Sequence, residues 1–443
     1  MSLINRISLI ATFPNKGKES TLTSFFDNSK IFVERVINDL WTVGYNDFNP
    51  SSKHFNSPKF LDSSHLERFN SGLGLGGMLR QTLGAIALSR VTSITEKLRK
   101  KQWVIGKIQS KRDKGESLSV TDRKTLHRFT KEIGNWIKNP PKVTNFAINI
   151  SRPDVVKTFT ENKEGREFAK ETEVVKLSLA GDYGVITIPV IKTKQSKKLE
   201  DSGFVKKPSA VALYSPTKIG LIYQREITPK KKEGKTVGAD QGITTVLTLS
   251  DRQVTDKNKH GQCLNDVLKK LSRRKKGTIG FRKAQTHRKN FINWSINRLN
   301  FKDVKVVRLE HLKNVGKGQH RSRFLNSWTY PLIRQKLVSL SELEGFQIEE
   351  MSNKFRSQRC NCCSHVNKAN RKGKAFNCKH CGHTDDADLN SSLNLELDLP
   401  RVPNWVFEQK LNRTGFFWTE EGVFAEEQVI SQDKETKDDF IHL

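Results

Sequence analysis

Two cysteine pairs constrain this chain more than any other feature. Within RCNCCSHVNKANRKGKAFNCKHCGHTDDADLN (359–390), Cys360-x2-Cys363 and Cys378-x2-Cys381 stand fourteen residues apart. Pairs spaced in this way form two knuckles whose four thiolates close a tetrahedral zinc site. Gly382, directly after the second pair, supplies the permissive backbone that such a knuckle wants. Cys362 is then a surplus thiol, and His365, His380 and His383 remain alternative ligands. Four thiolates leave no open coordination position, so the zinc is structural and shapes a small module.

A second chemistry lies beside the first. Seven residues past Cys381 comes Asp388, closing the acidic run Asp385, Asp386, Asp388. Carboxylates suit hard cations, whereas thiolates suit soft ones. Upstream, Asp240 sits inside an apolar strand in VGADQG, where a lone buried charge is costly, and Glu310 ends another in VVRLEHL. Asp388 precedes LNSSLNLEL, which reads as the start of a helix. Acids on separate elements can converge at one end of a sheet and bind two magnesium ions, which activate water and stabilise the leaving oxygen of a phosphodiester. The bland reading of each acid is a strand-end charge facing solvent. Spacing does not select these three from 47 acids.

The rest of the chain supplies a frame for both sites. Residues 1 to 13 alternate like a strand, and SKIFVERVINDLW places Phe32, Val36 and Leu40 on one helical face with Val33, Ile37 and Trp41 beside it. Residues 44 to 77 read as loop. There SGLGLGG (71–77) has a faint look of a phosphate-cradling loop, but no strand precedes it and a turn or hinge is the plainer reading. Residues 78 to 138 are helical and basic, with SVTD (119–122) as an N-cap and Pro140-Pro141 as the stop. Strand patterns dominate 143 to 227 in TNFAINI, YGVITIPVI, AVALYSP and KIGLIYQREI, the look of a small barrel or sandwich. PKKKEGK (229–235) reads as a linker. Beyond it come two β-rich runs broken at Gln241-Gly242, basic helix over 264 to 299, a strand at 303 to 312, a helix with Ile333, Leu337 and Leu340 on one face capped by Gly345, and the strand FQIEEM.

Charge narrows the partners. The formal net charge is +31, and residues 401 to 443 hold five basic and nine acidic side chains, which leaves about +35 on the first 400 residues. A body so basic calls for a polyanion, and nucleic acid is the usual one. The stretch 269–299 carries eleven Lys or Arg and no acid. Lys269, Lys270, Arg273, Arg274, Lys275, Lys276, Arg282, Lys283, Arg288 and Lys289 are its candidate phosphate contacts, and such contacts give salt-dependent affinity without reading sequence. Phe281, Phe291 and Trp294, spaced among them, suit base stacking or, equally, core packing. No apolar run approaches the roughly 18 residues that a membrane span requires. MSLINRISLIATF is too short and interrupted for a signal peptide. Clustered thiols of a cytosolic chain stay reduced, so the expected setting is cytoplasmic, with no membrane partner.

In order, VGADQGITTVLTLSD, VVRLEHLKNV, WTYPLIRQKLVSLSELEGFQIEEMSNKFRSQRCNCC and FNCKHCGHTDDADLNSSLNL resemble the RuvC-type nuclease half of TnpB-like transposon proteins and of the compact type V CRISPR effectors. The resemblance covers about residues 236 to 398. It implies a multidomain α+β and α/β chain, with an RNase H-like RuvC nuclease domain interrupted by a zinc ribbon. An N-terminal β-barrel wedge domain would carry an inserted helical recognition lobe. The implied divisions are 1–20 (first wedge strand), 21–142 (helical lobe), 143–235 (wedge barrel and linker), 236–352 (nuclease, first part), 353–384 (ribbon), 385–400 (nuclease, last part) and 401–443 (acidic tail). Matched residue by residue, the catalytic acids and magnesium ligands fall on Asp240, Glu310 and Asp388, with Asp386 as the alternative to the last. The zinc ligands fall on Cys360, Cys363, Cys378 and Cys381. Lys368, Arg371, Lys372 and Lys374 on the ribbon's middle loop suit a nucleic-acid path.

The function so implied is RNA-guided, magnesium-dependent DNA cleavage at a single site, next to a short flanking motif, with guide RNA and target DNA as partners. The alternatives are an RNA-guided binder with weak or no cleavage, a guide-independent structure-specific nuclease and a zinc-ribbon transcription factor. The last leaves Asp240 and Glu310 idle. Guide origin, flanking motif, cutting pattern, oligomeric state and the role of 401–443 are not in the sequence.

Overall fold

The computed structural model describes residues 3–12, 14–44, 63–143, 147–159, 172–179, 181–255, 257–312 and 329–425, which fold as two units divided between Glu226 and Ile227. In the first unit the alternating start becomes β1 (Leu3–Ala11), with Ile4, Ser8 and Ile10 buried. In α1 (Lys16–Gly44) the anticipated face points inward, and Phe32, Val33, Val36, Ile37, Leu40 and Trp41 are all buried. Much of the expected loop, 45–62, lies outside the described residues; the remainder includes α2 (Ser63–Glu67). The basic helices are α3 (Gly77–Asp113) and α4 (Val120–Lys138), and Ser119 Oγ caps α4 by accepting from the Asp122 N–H at 3.0 Å.

The glycine run ahead of α3 is a turn and not a phosphate cradle. Gly74 holds a φ of 62°, its carbonyl accepts from the Asp182 N–H at 3.0 Å, and the Leu75 N–H donates to Asn70 Oδ1 at 3.0 Å. The N–H groups of Leu73 and Leu75, both spent on Asn70, are not free for an anion.

The unit continues with β2 (Ile148–Ser151), β3 (Val156–Phe159), β4 (Thr172–Ser178), β5 (Val185–Ile191), α5 (Lys194–Asp201), β6 (Val205–Ser215) and β7 (Lys218–Glu226). They form two antiparallel sheets ordered β1-β7-β6-β2 and β3-β4-β5. The sequence reading does not anticipate β3, β4 or α5, because lysine and glutamate dilute the alternation in VKTF and TEVVKLS and α5 is mostly polar.

The second unit is built on β8 (Lys235–Asp240), β9 (Thr248–Leu249), α6 (Leu264–Ser272), α7 (Ile279–Ile296), β10 (Val304–Glu310), α8 (Tyr330–Glu344) and β11 (Gln347–Met351). Its sheet runs β11-β10-β8-β9, with β10 parallel to both neighbours and β9 antiparallel to β8. A parallel sheet is covered on both faces, which explains the near-continuous apolar runs. Val237, Ala239, Val307 and Leu309 pack with Leu268, Phe291 and Leu337 of the helices. Gly345 ends α8 at a φ of 79°, as its position predicts. The run PKKKEGK is not a loose spacer. Lys231 Nζ donates to the carbonyls of Phe301, Lys302 and Val304 at 2.8, 2.7 and 3.0 Å, and Lys230 Nζ to that of Phe346 at 2.8 Å.

The chain then forms β12 (His365–Val366), β13 (Arg371–Lys372), β14 (Ala375–Asn377), β15 (Thr384–Asp386), α9 (Ala387–Glu396), α10 (Asn404–Glu408), β16 (Phe416–Trp418) and β17 (Val423–Ala425). One small sheet is β13-β14-β15 and the other β12-β16-β17. The stretch 401–425 is therefore not merely an acidic tail. Val402, Val406, Phe416 and Trp418 share a core with Val366 of the cysteine segment. A count of charges overlooks those aromatics, and six of the nine acids fall in 426–443, outside the described residues. Among the described residues no helix is long and apolar enough to cross a membrane.

Candidate active site

The four cysteines meet. Cys360 Sγ lies 3.7 Å from Cys381 Sγ, Cys363 Sγ lies 3.6 Å from Cys378 Sγ, and all four fall within 4.8 Å of one another. Zinc–sulfur bonds of about 2.3 Å imply sulfur–sulfur edges of about 3.8 Å in a tetrahedron, so the set fits zinc. Cys362 is exposed and outside the cluster. His365 also stands apart, its ring 5.2 Å from those of His380 and Phe417. In the second knuckle Gly382 takes a φ of 73° and donates its N–H to the Cys378 carbonyl at 3.1 Å. The first knuckle does the same with Ser364, at a φ of 66°. Burial pushes the Cys360 thiol up to about 11 and Cys363 higher still. Burial opposes it at Cys381 too, yet the His383 N–H and the neighbouring thiols hold that group down to about 7. A divalent cation would displace the protons these sulfurs share.

The ribbon leads straight into the acids. β15 ends at Asp386, whose Oδ1 accepts from the N–H groups of Asp388 and Leu389 at 2.9 and 3.1 Å, capping α9. Asp386 is thus engaged as a helix cap, whereas Asp388, two residues on in the first turn of α9, is 3% exposed and lines a cleft of about 370 Å³. Asp240 and Glu310 line the same cleft. They end two adjacent parallel strands paired at Leu309 and Ala239, which brings both carboxylates to one edge of the sheet. Ser391, three residues past Asp388 on α9, donates to Asp240 Oδ1 at 2.9 Å. Burial raises the proton affinity of Asp240 despite Ser391, Arg371 and Lys374. Burial and the charge of Asp240 push Glu310 up to about 8. Buried carboxylates lining one cleft suit a hard divalent cation, which takes oxygen ligands and offsets that penalty.

Two cations of the ribbon reach over the cleft. Arg371 Nη2 is 3.1 Å from Asp388 Oδ1, and Lys374 Nζ contacts Asp388 Oδ2. Lys368 and Lys372, grouped with them on sequence, are exposed and make no such contact. Behind the acids, α9 is locked in place by a polar network that the sequence reading missed. Arg359 Nη1 donates to Asn394 Oδ1 at 2.5 Å, the Asn394 Nδ2 donates to the carbonyls of Arg356 and Arg359 at 3.0 and 2.7 Å, and both arginines are buried. No local pattern marks such residues, because their partners are 35 or more positions away.

Gly238 sets how closely α9 approaches β8. A Cβ there would stand 1.9 Å from the Ser392 carbonyl oxygen and 2.6 Å from the Glu396 nitrogen, both backbone atoms. Overpacking of this kind costs about 1–3 kcal/mol. Gly238→Ala is expected to lower Tm by roughly 2–12 °C in thermal unfolding. An unchanged Tm would mean that α9 shifts freely on the strand.

Of the ten basic residues singled out on 269–289, nine are exposed, on α6, α7 and the turn between them. Arg288 differs: the residue is half-buried, with its Nε inside, and burial lowers its pKa. Phe291 is in the core, and Trp294 packs against that core and under the Arg298 guanidinium, 5.1 Å from its ring centre. Phe291 is therefore not available for stacking, while Trp294 and Phe281 are half-buried.

Fold and site together define a mixed α+β chain in which a four-thiolate ribbon delivers a buried acid to two others. Residues 330–395 match the family model of the Cas12f1-like TNB domain. The chain is 30% identical over 106 residues to the CRISPR-associated endodeoxyribonuclease Cas12f1 of Sulfoacidibacillus thermotolerans, a stretch that is 24% of this chain and 24% of that protein. It is 30% identical over 79 residues to the Cas12f1 of Syntrophomonas palmitatica, 18% of this chain and 16% of that protein. The matches thus span about a quarter or less of those relatives, and over them the resemblance to a compact Cas12-type, TnpB-like nuclease is shown. The structure of CasPhi-2 (Cas12j) bound to crRNA aligns with 90% of this chain and 99% of its own at 10% identity, with a TM-score of 0.48. The fold class rests on the strand order above and not on that likeness.

Proposed function

We propose that this chain is an RNA-guided DNA endonuclease that cuts with one two-metal site. The observation that carries the reading is the convergence of Asp240, Glu310 and Asp388, from three separate elements, on one cleft. In this reading 236–352 and 385–400 form an RNase H-like, RuvC-type domain interrupted by the ribbon at 353–384. Residues 1–20 and 143–235 form the wedge, and 21–142 the helical lobe. Two magnesium ions held by the three acids would supply an activated water and neutralise charge on the leaving oxygen. The chain's own residues do the rest. Ser391 fixes the Asp240 carboxylate by a hydrogen bond. Arg371 and Lys374, placed over the cleft, are donors for the phosphodiester once they leave Asp388.

The exposed lysines and arginines of α6, α7 and their turn support a nucleic-acid face. So do the names of the relatives, which are endodeoxyribonucleases. The presence of all three acids favours cutting over binding alone. Guide RNA, target DNA and a cytoplasmic setting complete the proposal.

The test is to express the chain with its native genomic flanks and sequence the RNA that co-purifies. A discrete, structured RNA that directs magnesium-dependent cutting of matching DNA is the expected result. Cutting that is equally efficient after nuclease removal of all RNA would overturn guidance and leave a structure-specific nuclease.

A further inference from the structure

Gln241 follows Asp240 directly and lines the same cleft. It is only 7% exposed, and neither Oε1 nor Nε2 of its side chain has a hydrogen-bond partner within the described chain. The buried amides of Asn390 and Asn394 in this unit, by contrast, have partners. Asn390 Nδ2 donates to the Arg359 carbonyl at 2.8 Å, and Asn394 Nδ2 donates to three carbonyls. A buried polar group without a partner costs about 1–3 kcal/mol, and folded proteins keep few of them. An apolar side chain of the same length would fill this place without that penalty.

The chemistry of the cleft shows what an amide adds. Once ionised, its acids only accept and would repel a phosphodiester, while Arg371 and Lys374 only donate. Gln241 is neutral and offers a donor and an acceptor on one rigid group. We propose that Gln241 is a substrate contact, resting on the nuclease reading above: Nε2 donates to a non-bridging oxygen of the scissile phosphate and Oε1 accepts from the attacking water. The water oxygen bonds to phosphorus, the bond from phosphorus to the leaving sugar oxygen breaks, and the water's proton ends on that oxygen by way of solvent. Gln241 aligns the two reactants and takes no proton itself.

The test compares Gln241→Met with the wild type and with Asp240→Asn, in the full chain carrying its co-purified RNA. Three quantities are read: single-turnover cleavage of matching DNA, Mn2+ binding by electron paramagnetic resonance, and Tm. Loss of one preorganised donor is worth roughly 10²-fold in rate. The expected result for Gln241→Met is a fall of that order, with DNA affinity and Mn2+ binding within twofold and Tm unchanged or higher. In addition, a single phosphorothioate at the cut site should slow the wild type more than Gln241→Met, since the variant no longer contacts that oxygen. Cleavage within twofold of wild type, weakened Mn2+ binding, a lowered Tm or equal phosphorothioate effects would each overturn the assignment. Failure of the nuclease reading looks different, because the wild type would then cut no faster than Asp240→Asn.

Discussion

Asp240→Asn is expected to cut at least about 10³-fold more slowly than the wild type, with its affinity for matching nucleic acid within a few-fold. The size follows from removing a carboxylate ligand whose cation is worth several kcal/mol of transition-state stabilisation. The residue lies in the cleft, 6% exposed, away from the basic surface of α6 and α7, so binding is spared. The same variant has a stability signature that a mere loss of activity does not explain. Asp240 and Glu310 both have raised proton affinities in the folded chain, Glu310 rising from 4.5 to about 8. A folded-state pKa above the unfolded value favours the folded state at low pH, and that contribution fades as pH climbs from about 4 through about 8. Without divalent cations the wild type should therefore lose Tm across that window. Asp240→Asn should lose less and melt higher at pH 8. Wild-type cutting by Asp240→Asn would remove Asp240 from the site.

Cys378→Ser should drop the zinc content from one per chain to none in a metal assay and abolish cleavage together with it. Structural zinc contributes about 10–16 kcal/mol of apparent binding energy in small modules at neutral pH, more than a short three-stranded sheet can replace. The loss reaches the acids through the backbone. Cys378 follows β14, β14 pairs with β15, and β15 ends at the cap of the helix that carries Asp388. With the thiolate clamp open, Phe376 and Ala387, which pack on Cys360 and Cys378, lose their core. The variant should thus expose the start of α9 to hydrogen exchange while the sheet of β8, β10 and β11 stays protected. One zinc per chain in Cys378→Ser would show that another side chain can serve, and intact cutting would uncouple the ribbon from the acids.

The two results would separate the soft and hard metals of the proposed reading. Thiolates hold the ribbon's shape, and the shape aims a carboxylate. That division also explains why the ribbon's cations sit where they do. Arg371 and Lys374 are on β13 and the turn after it, shortly before Cys378 of the thiol cluster, so whatever fixes the thiols fixes these two over the cleft.

Much of this was legible in the residues because the signals are local. The inward face of α1, the Ser119 cap, the left-handed Gly345 and the four cysteines each depend on neighbours within a few positions. Where the reading went astray, the deciding partner was distant or the wrong property was counted. PKKKEGK looks like a spacer until the carbonyls around 301–304 and 346 are there to bind its lysines. Residues 401–425 look like an acidic tail until Phe416 and Trp418 find Val366.

The sequence by itself determined the ligand chemistry: which thiols can chelate, and that acids end two apolar strands, since ligand type and strand periodicity are short-range properties. Only the tertiary structure decided that Asp388 and not its neighbour Asp386 faces the cleft, and that Gln241 is left there without a partner. The physical reason is the parallel register of β8 and β10 and the close backbone approach at Gly238, contacts between segments some 70 to 150 residues apart that no local pattern encodes.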